Sequence, residues 1–242
     1  MRGAVRELRL ALADRTDVAT TLHEPAPTPA PSGAGDRAPV LLLPGARGDH
    51  AAEHLVAIAT QLAAAGHAVV RAALSDRPPG AGVVGPAERS VPRAGHVLAA
   101  ARALVVSDVT HGWIVGGASY GGRVASLAVA EHGGAALGVV GLLLVAYPLH
   151  PPGRPDRPRV AHWDRIDVPV LMISGDADPF LTGALLDAHA GALAGPLTRL
   201  VVPGGRHDLS VSSRSAPDGR RRSPSEAVDE QREALVAWAA AR

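Results

Sequence analysis

The chain has 242 residues, a formal net charge of +1 and no cysteine. It also contains no lysine, so all 24 of its basic residues are arginines. The first absence excludes a thiolate nucleophile, a disulfide framework and cysteine-ligated zinc, and the second excludes a Schiff-base lysine and the lysine of a nucleotide-binding P-loop. The balanced charge gives no reason to expect nucleic acid or an acidic membrane surface as a partner.

The longest uncharged stretch, residues 133–149, does not predict a membrane-spanning helix. It falls short of the roughly 18 apolar residues that such a helix requires, and it contains Gly141 and Pro148. Its centre, 139–145, is rich in valine and leucine, which indicates a buried strand. Residues 2–15 mix arginine, glutamate and leucine and lack the apolar stretch of a signal peptide. We therefore expect a cytoplasmic protein with no membrane partner.

The first 24 residues predict a β-hairpin. Residues with apolar or β-branched side chains recur at every second position on both sides of an Asp-Arg-Thr-Asp turn, at Leu8, Leu10, Leu12, Val18, Thr20 and Leu22. A loop rich in proline, alanine and glycine follows at 25–39. Because a hairpin of this length cannot form a domain of its own, we expect residues 1–242 to make one domain.

From residue 40 onward, short apolar runs alternate with helical patterns. Helices are predicted near 51–65, 91–105, 121–131 and 181–194, and buried strands at 40–43, 68–72, 113–115, 139–145, 170–173 and 200–202. After an Arg- and Ser-rich loop, 211–223, a last helix is marked by the capping box of Ser223 and Glu226, with Pro224 at its first position. The alternation predicts an α/β fold whose mostly parallel sheet carries helices on both faces.

Residues 117–121, Gly-Ala-Ser-Tyr-Gly, match the G-x-S-x-G pattern of a nucleophile elbow. A strand signal at 113–115 precedes the motif directly and a helix signal at 123–131 follows it. In such a setting the serine lies on a sharp turn, and small neighbours let strand and helix approach closely. Ser119 is therefore the predicted nucleophile. The alternative is a glycine-rich connection in which Ser119 only caps the helix.

A serine nucleophile needs a base, and the base needs an acid that orients it. In an α/β sheet of this kind they follow the serine in the order acid, histidine, each on a loop after a strand. His207 follows the strand predicted at 200–202 and is the predicted base. Asp178 follows the strand at 170–173 and is the predicted acid. Asp176 in the same loop is the alternative acid, or else it caps the turn.

An oxyanion requires two donors that are already in place. The backbone N–H of Tyr120, immediately after the nucleophile, is one candidate. The second is expected from the loop after the strand at 40–43, where Gly45 lets the backbone turn inward and Ala46 supplies the N–H.

Two other sequence patterns are alternatives to the nucleophile elbow as the functional site. His50, Glu53 and His54 match the H-x-x-E-H pattern of a zinc peptidase, which requires both histidines on one helix face and a further carboxylate ligand. The plainer interpretation makes Asp49 the N-cap of that helix. A G-x-G-x-x-G string at 80–85 is flanked by prolines and cannot open a helix as a dinucleotide site does, so it is interpreted as an irregular loop.

The chain resembles the α/β-hydrolase superfamily, and within it the small, lidless group that is similar to dienelactone hydrolases and includes testis-expressed and NSL-complex-subunit hydrolase-like proteins. The segments that carry the resemblance are GGASYGGR at 116–123, YPLHPPGR at 147–154, GDADPF at 175–180 and GGRHD at 204–208. The resemblance implies hydrolysis of a small acyl substrate, an ester, thioester or lactone, with no metal and no organic cofactor. It also implies an alternative, a non-catalytic binding or scaffold protein.

One departure from that group lies after the strand at 40–43, where many relatives have His-Gly and this chain has Pro44-Gly45. The backbone donor survives the change, but any role of the histidine side chain does not. Residues 148–169 are too few for a lid domain, so an open, shallow site is expected. Tyr147, Leu149 and His150 are the predicted substrate-contacting residues, and packing of a proline-rich loop is their alternative role. The sequence carries no signal for the oligomeric state.

Overall fold

A twisted sheet forms the centre of the protein in the computed structural model, which describes residues 3–26, 37–75, 85–105 and 112–242. In the described ranges the sheet has eight strands in the order β1-β2-β4-β3-β5-β6-β7-β8. The strands are β1 (Val5–Ala11), β2 (Asp17–His23), β3 (Val40–Leu43), β4 (Val69–Ala72), β5 (Trp113–Ala118), β6 (Val139–Val145), β7 (Val170–Gly175) and β8 (Leu197–Val202).

The predicted hairpin is confirmed. β1 pairs antiparallel with β2 from Val5 opposite His23 to Ala11 opposite Asp17, and β2 pairs antiparallel with β4. All pairings from β4 to β8 are parallel. The carboxyl ends of six neighbouring strands therefore meet at one edge of the sheet, which is where open α/β folds bind their ligands.

Helices cover both faces of the sheet, which confirms the predicted fold class. They are α1 (Glu53–Ala64), α2 (Val91–Leu104), α3 (Tyr120–His132), α4 (Gly183–His189), α5 (Pro224–Glu230) and α6 (Arg232–Ala240). Since side chains alternate along a strand, Leu41 and Leu43 pack towards α2 and α3, whereas Val40 and Leu42 pack towards α1, α5 and α6. β3, β5, β6 and β7 are buried along nearly all of their length, which explains why they are largely apolar runs in the sequence.

The helix predicted at 181–194 is shorter than expected. Thr182 caps its start by accepting a hydrogen bond from the N–H of Leu185 at 3.2 Å, but the α-helix ends at His189 and a single 3₁₀ turn follows. Gly191 and Gly195 weaken the helical pattern, and Pro196 cannot continue it. The strand predicted at 200–202 accordingly begins three residues earlier, at Leu197.

The predicted start of the last helix is confirmed, but the structure has two helices where the sequence predicts one. Ser223 and Glu226 form the predicted capping box, with the Ser223 side chain accepting from the Glu226 N–H and the Glu226 carboxylate accepting from the Ser223 N–H. Gln231 then separates α5 from α6. The preceding Arg- and Ser-rich loop is tied down by backbone hydrogen bonds between Val211 and Arg222 in both directions.

The connection from β6 to β7, residues 146–169, contains turns and one 3₁₀ turn at Trp163–Arg165 but no α-helix. It is too small to form a lid, as predicted. None of the helices in the described ranges has the length and apolar character needed to cross a membrane. Residues 80–84 of the G-x-G-x-x-G string, and residues 27–36 of the proline-rich loop, lie outside the described residues.

Two buried histidines and one that is partly buried predict an acid-sensitive fold. Burial lowers the pKa of His23, His54 and His162 from about 6.5 to about 4, with Arg71 adding to the effect at His23 and Arg123 at His162. Between pH 6.5 and pH 4 the unfolded chain therefore binds protons that the folded chain does not. The free energy of unfolding should fall as the pH falls through this window, by at most about 1.4 kcal/mol per pH unit for each histidine.

Denaturant titrations between pH 7.5 and pH 4.5 measure this slope. The variant His162→Gln should show a shallower fall than wild type, because one of the three groups is removed. The matched control, His132→Gln, replaces a side chain that is 49% exposed and should keep the wild-type slope. Equal slopes for His162→Gln and wild type would contradict the assignment.

Candidate active site

Ser119 lies on a sharp turn between β5 and α3, as predicted. Its backbone has φ of 47° and ψ of −108°, a conformation that costs energy for a residue with a side chain. Two glycines make the turn possible. A β-carbon at Gly117 would lie 2.0 Å from the carbonyl oxygen of Leu43, and one at Gly121 would lie 2.4 Å from the same atom. The N–H of Ser119 donates to the carbonyl of Val145 at 2.8 Å, which fixes the turn at the carboxyl edge of the sheet.

Three side chains from three different loops meet at this turn. The Nε2 atom of His207 lies 2.9 Å from Oγ of Ser119, and Nδ1 of His207 lies 2.8 Å from Oδ2 of Asp178. The Asp178 side chain is 0% exposed, and its second oxygen accepts a hydrogen bond from the N–H of Phe180 at 2.8 Å. The His207 side chain is 29% exposed. A continuous hydrogen-bonded series thus runs from a buried carboxylate to a hydroxyl at the protein surface.

Asp176, the alternative acid, has a different contact. Its Oδ1 accepts a hydrogen bond from the N–H of Gly204 at 2.6 Å, which joins the loop after β7 to the loop after β8. The two loops are in close contact here, because a β-carbon at Gly175 would lie 2.0 Å from the carbonyl oxygen of Gly205. Asp176 thus helps to place the loop that carries His207, while Asp178 contacts the ring itself.

The loop after β3 lies directly against the turn. A β-carbon on Gly45 would be 3.8 Å from Cβ of Ser119, so the loop lies against the Ser119 side chain at Gly45, and Ala46 is the next residue. The N–H of Gly48 donates to the carbonyl of Gly45 at 2.9 Å and closes a tight turn. The hydroxyl of Tyr120 lies 2.8 Å from Oγ of Ser90 and 3.3 Å from the carbonyl oxygen of Pro86. The Tyr120 side chain is therefore held by the segment before α2.

The predicted role of Tyr147 and Leu149 in lining the site is wrong, since both side chains have 0% exposure. The Tyr147 hydroxyl donates to the carbonyl of Arg159 at 3.0 Å, and its ring packs against Trp163. Both residues therefore pack the connection between β6 and β7. His150 is also buried, but its ring centre is 6.2 Å from that of Phe180, which places it just behind the site.

Phe180 contacts the site, although no sequence motif assigns it a role there. Its ring stands edge-on to the ring of His207, with 4.6 Å between the ring centres. It therefore restricts the tilt of the imidazole, while its own N–H fixes the carboxylate of Asp178. It is the single phenylalanine of the chain and lies two residues after Asp178, so its position could have drawn attention to it.

The zinc hypothesis is not supported. α1 begins at Glu53, so His50 lies in the preceding loop and the two histidines do not share a helix face. The carboxylate of Glu53 accepts hydrogen bonds from Oγ and N–H of Ser225. In the described parts of the chain no three acidic or histidine side chains are grouped as a metal site requires. Asp49 is also not the N-cap, which is Ala52, although its carboxylate accepts from the N–H of Ala51.

Residues 36–236 match the sequence model of a family described as "Alpha/beta hydrolase domain". Solved structures with similar folds include an α/β serine hydrolase without a lid from Xanthomonas campestris, with 20% identity and a TM-score of 0.60 over 96% of this chain and 91% of that one. A putative dienelactone hydrolase from Klebsiella pneumoniae has 18% identity and a TM-score of 0.68, over 99% and 100% of the two chains. The esterase domain of a Rhodothermus marinus protein has 16% identity and a TM-score of 0.63, over 98% and 99%. At these identities the likeness shows a shared fold.

Proposed function

Because the chain belongs to the α/β-hydrolase family, we propose that it is a serine hydrolase that cleaves a small or medium carboxylic ester, thioester or lactone. The observation that carries the proposal is the hydrogen-bonded series from Asp178 through His207 to Ser119. Its three members come from loops at the carboxyl edge of the sheet, where a substrate can reach the serine. Two proteins of similar fold support the proposal, since one is described as a serine hydrolase without a lid and the other as an esterase domain.

In the proposed reaction, His207 takes the proton of the Ser119 hydroxyl through Nε2 while Oγ attacks the acyl carbon. The tetrahedral intermediate collapses when His207 gives this proton to the leaving oxygen or sulfur, and an acyl-enzyme remains. Water then attacks the acyl carbon with His207 again as base, and the acid product leaves. Asp178 holds the imidazole with Nδ1–H towards the carboxylate and stabilises its charged form.

The oxyanion of the intermediate would be bound by the backbone amides of Tyr120 and Ala46. Tyr120 follows the nucleophile at the start of α3, where backbone N–H groups point out of the helix. Gly45 brings the second loop within van der Waals distance of Ser119, and Ala46 is the next residue. Two amides that need no rearrangement during the reaction are the donor set that such an intermediate requires.

We propose an open site, which predicts a preference for short acyl chains. The connection after β6 forms no lid, and the aromatic wall beside His207 consists of Phe180 backed by the buried His150. Full burial of a methylene would be worth about 0.8 kcal/mol, close to fourfold in kcat/KM, but a chain that extends into solvent gains little of this. We expect kcat/KM to rise or stay level up to about butyrate or hexanoate and then to flatten or fall.

A series of p-nitrophenyl esters from acetate to palmitate, used below micelle-forming concentrations, tests the function and the open site together. Hydrolysis of the short esters supports the proposed function. A steady increase of kcat/KM towards the longest chains, or activation at a lipid interface, would contradict the open site. No hydrolysis of any ester, thioester or lactone would contradict the proposed function and favour the scaffold alternative.

A further inference from the structure

A buried arginine lies two strands away from the nucleophile. Arg71 is part of β4, between Thr21 of β2 and Leu42 of β3, and is only 4% exposed. Burial lowers its pKa, which reflects the cost of removing a guanidinium from water. In the part of the chain that the structure describes, Arg71 forms no ion pair, and Asp49 and Glu7 act on it only through longer-range electrostatics. A charge in such a place calls for an explanation.

Arg71 makes two hydrogen bonds that explain why its charge lies in this place. Its Nε donates to Nε2 of His23 at 3.0 Å, and its Nη1 donates to the backbone carbonyl of His50. The acceptor role of Nε2 requires His23 to be neutral, in agreement with the lowered pKa of that residue. His23 is itself 3% exposed and belongs to β2, so it is a fixed support. The guanidinium thus connects a rigid strand to the carbonyl of His50.

His50 belongs to the loop between β3 and α1, residues 44–52, which also carries Gly45 and Ala46 beside Ser119. At its start the loop is fixed by the pairing of Leu43 with Gly117 on β5. Its own polar contacts are local, such as the turn closed by Gly48 and the bond from Ala51 N–H to Asp49. The Arg71 bond joins the far part of the loop, at His50, directly to strand β4.

We propose that Arg71 is a positioning residue that holds loop 44–52 in place, so that the Ala46 amide stays directed towards the oxyanion. This role rests on the proposed function. Arginine suits it better than lysine, because a planar guanidinium has donors that reach the His23 ring and the His50 carbonyl at the same time. Arg71 itself touches no reacting atom and acts through the loop.

The test compares Arg71→Met with wild type on p-nitrophenyl butyrate. Loss of a well-placed oxyanion donor costs about 100-fold or more, and partial misplacement should cost less. We expect kcat per folded enzyme to fall by about 10- to 100-fold while KM changes by less than about threefold. Hydrogen–deuterium exchange measured by mass spectrometry should become faster over peptides that cover 44–52.

The matched control is Arg102→Met. Arg102 also donates to backbone carbonyls, those of Leu137 and Gly138, but these precede β6 at the opposite edge of the sheet. It should leave both kcat and the exchange of 44–52 unchanged. Arg71→Lys keeps the charge, so it allows the same test if the methionine variant does not fold. Lysine lacks the planar fork that presents Nε and Nη1 to the two acceptors at the same time, so the kcat of this variant should still be at least about fivefold below wild type.

Wild-type kcat in the folded Arg71 variants would overturn the role of Arg71. A lower kcat with unchanged exchange over 44–52 would overturn it too, because the effect would then not pass through the loop. Both results leave the proposed function intact, as long as wild type hydrolyses the ester and Ser119→Ala does not. An inactive wild-type protein would instead overturn the proposed function and, with it, this role.

Discussion

Replacement of Ser119 by alanine should lower kcat for a short p-nitrophenyl ester by about 10⁴- to 10⁶-fold. The substitution removes the attacking oxygen but leaves the Asp178–His207 pair and the oxyanion amides in place. Alanine keeps the β-carbon, so the strain of the turn is unchanged and the variant should fold about as well as wild type. Steady-state kinetics on purified proteins, with circular dichroism to verify folding, measures the loss.

The chain offers a matched control for this experiment. Ser126 lies two turns further along α3, and its Oγ is 2.9 Å from Nε2 of His162, the same separation as in the Ser119–His207 pair. Ser126 is 0% exposed, however, so no substrate can reach it. Ser126→Ala should keep kcat within about twofold of wild type and lower stability by about 1 kcal/mol. Similar losses of kcat in the two variants would show that a serine–histidine contact alone does not identify the nucleophile.

Asp178→Asn should reduce kcat by about 10⁴-fold. The asparagine fills the same buried space and can still accept from the Phe180 N–H, so the geometry should survive. Its amide group, however, can donate a hydrogen bond to Nδ1 of His207 and so stabilise the tautomer with a proton on Nε2. A His207 in this form cannot take the Ser119 proton. The loss should therefore fall on kcat, with little change in KM.

Asp176→Asn is the comparison that decides between the two carboxylates. Asparagine keeps an oxygen that can accept from the Gly204 N–H, so the loop that carries His207 should stay in place. We expect a loss of less than about tenfold. If Asp176→Asn were the more damaging change, Asp176 would have to replace Asp178 as the orienting acid.

Much of the fold could be predicted from local patterns that have one physical meaning. Apolar runs of four to seven residues in the parallel part of the sheet are buried on both faces, and the Ser223–Glu226 capping box marks a helix start wherever it forms. The end of α4 was harder to predict. Alanine and leucine favour a helix through 181–194, and only the combined effect of Gly191, Gly195 and Pro196 ends it early.

The candidate site was predictable where chain order and loop position decide it. Ser119, Asp178 and His207 follow the strands at one edge of a parallel sheet, so the topology brings them together. The direction in which a side chain points could not be predicted from chain order or loop position. Tyr147 and Leu149 lie in the right connection, but their side chains point into the core, and no local pattern distinguishes the two directions.

Long-range contacts account for the remaining omissions. Phe180 touches His207 because two loops that are far apart in the sequence lie side by side. Arg71 reaches the loop beside Ser119 from a neighbouring strand, which a charged residue within an apolar run does not reveal. The H-x-x-E-H pattern does not form a metal site, and here the cause is local structure rather than a long-range contact. Its spacing fits a helix, but the helix starts at Glu53 and leaves His50 outside.

The central claim is that the Ser119 oxygen is activated for attack by His207. A fluorophosphonate probe tests this claim directly, because it reacts with activated serines and stays covalently attached. After tryptic digestion the label should be found on the peptide 103–123, and fragmentation should place it on Ser119 rather than on Ser107 in the same peptide. Ser119→Ala should not be labelled there, and Ser126→Ala should be labelled as fast as wild type. Equal labelling of wild type and Ser119→Ala, or a label confined to another serine, would contradict the account.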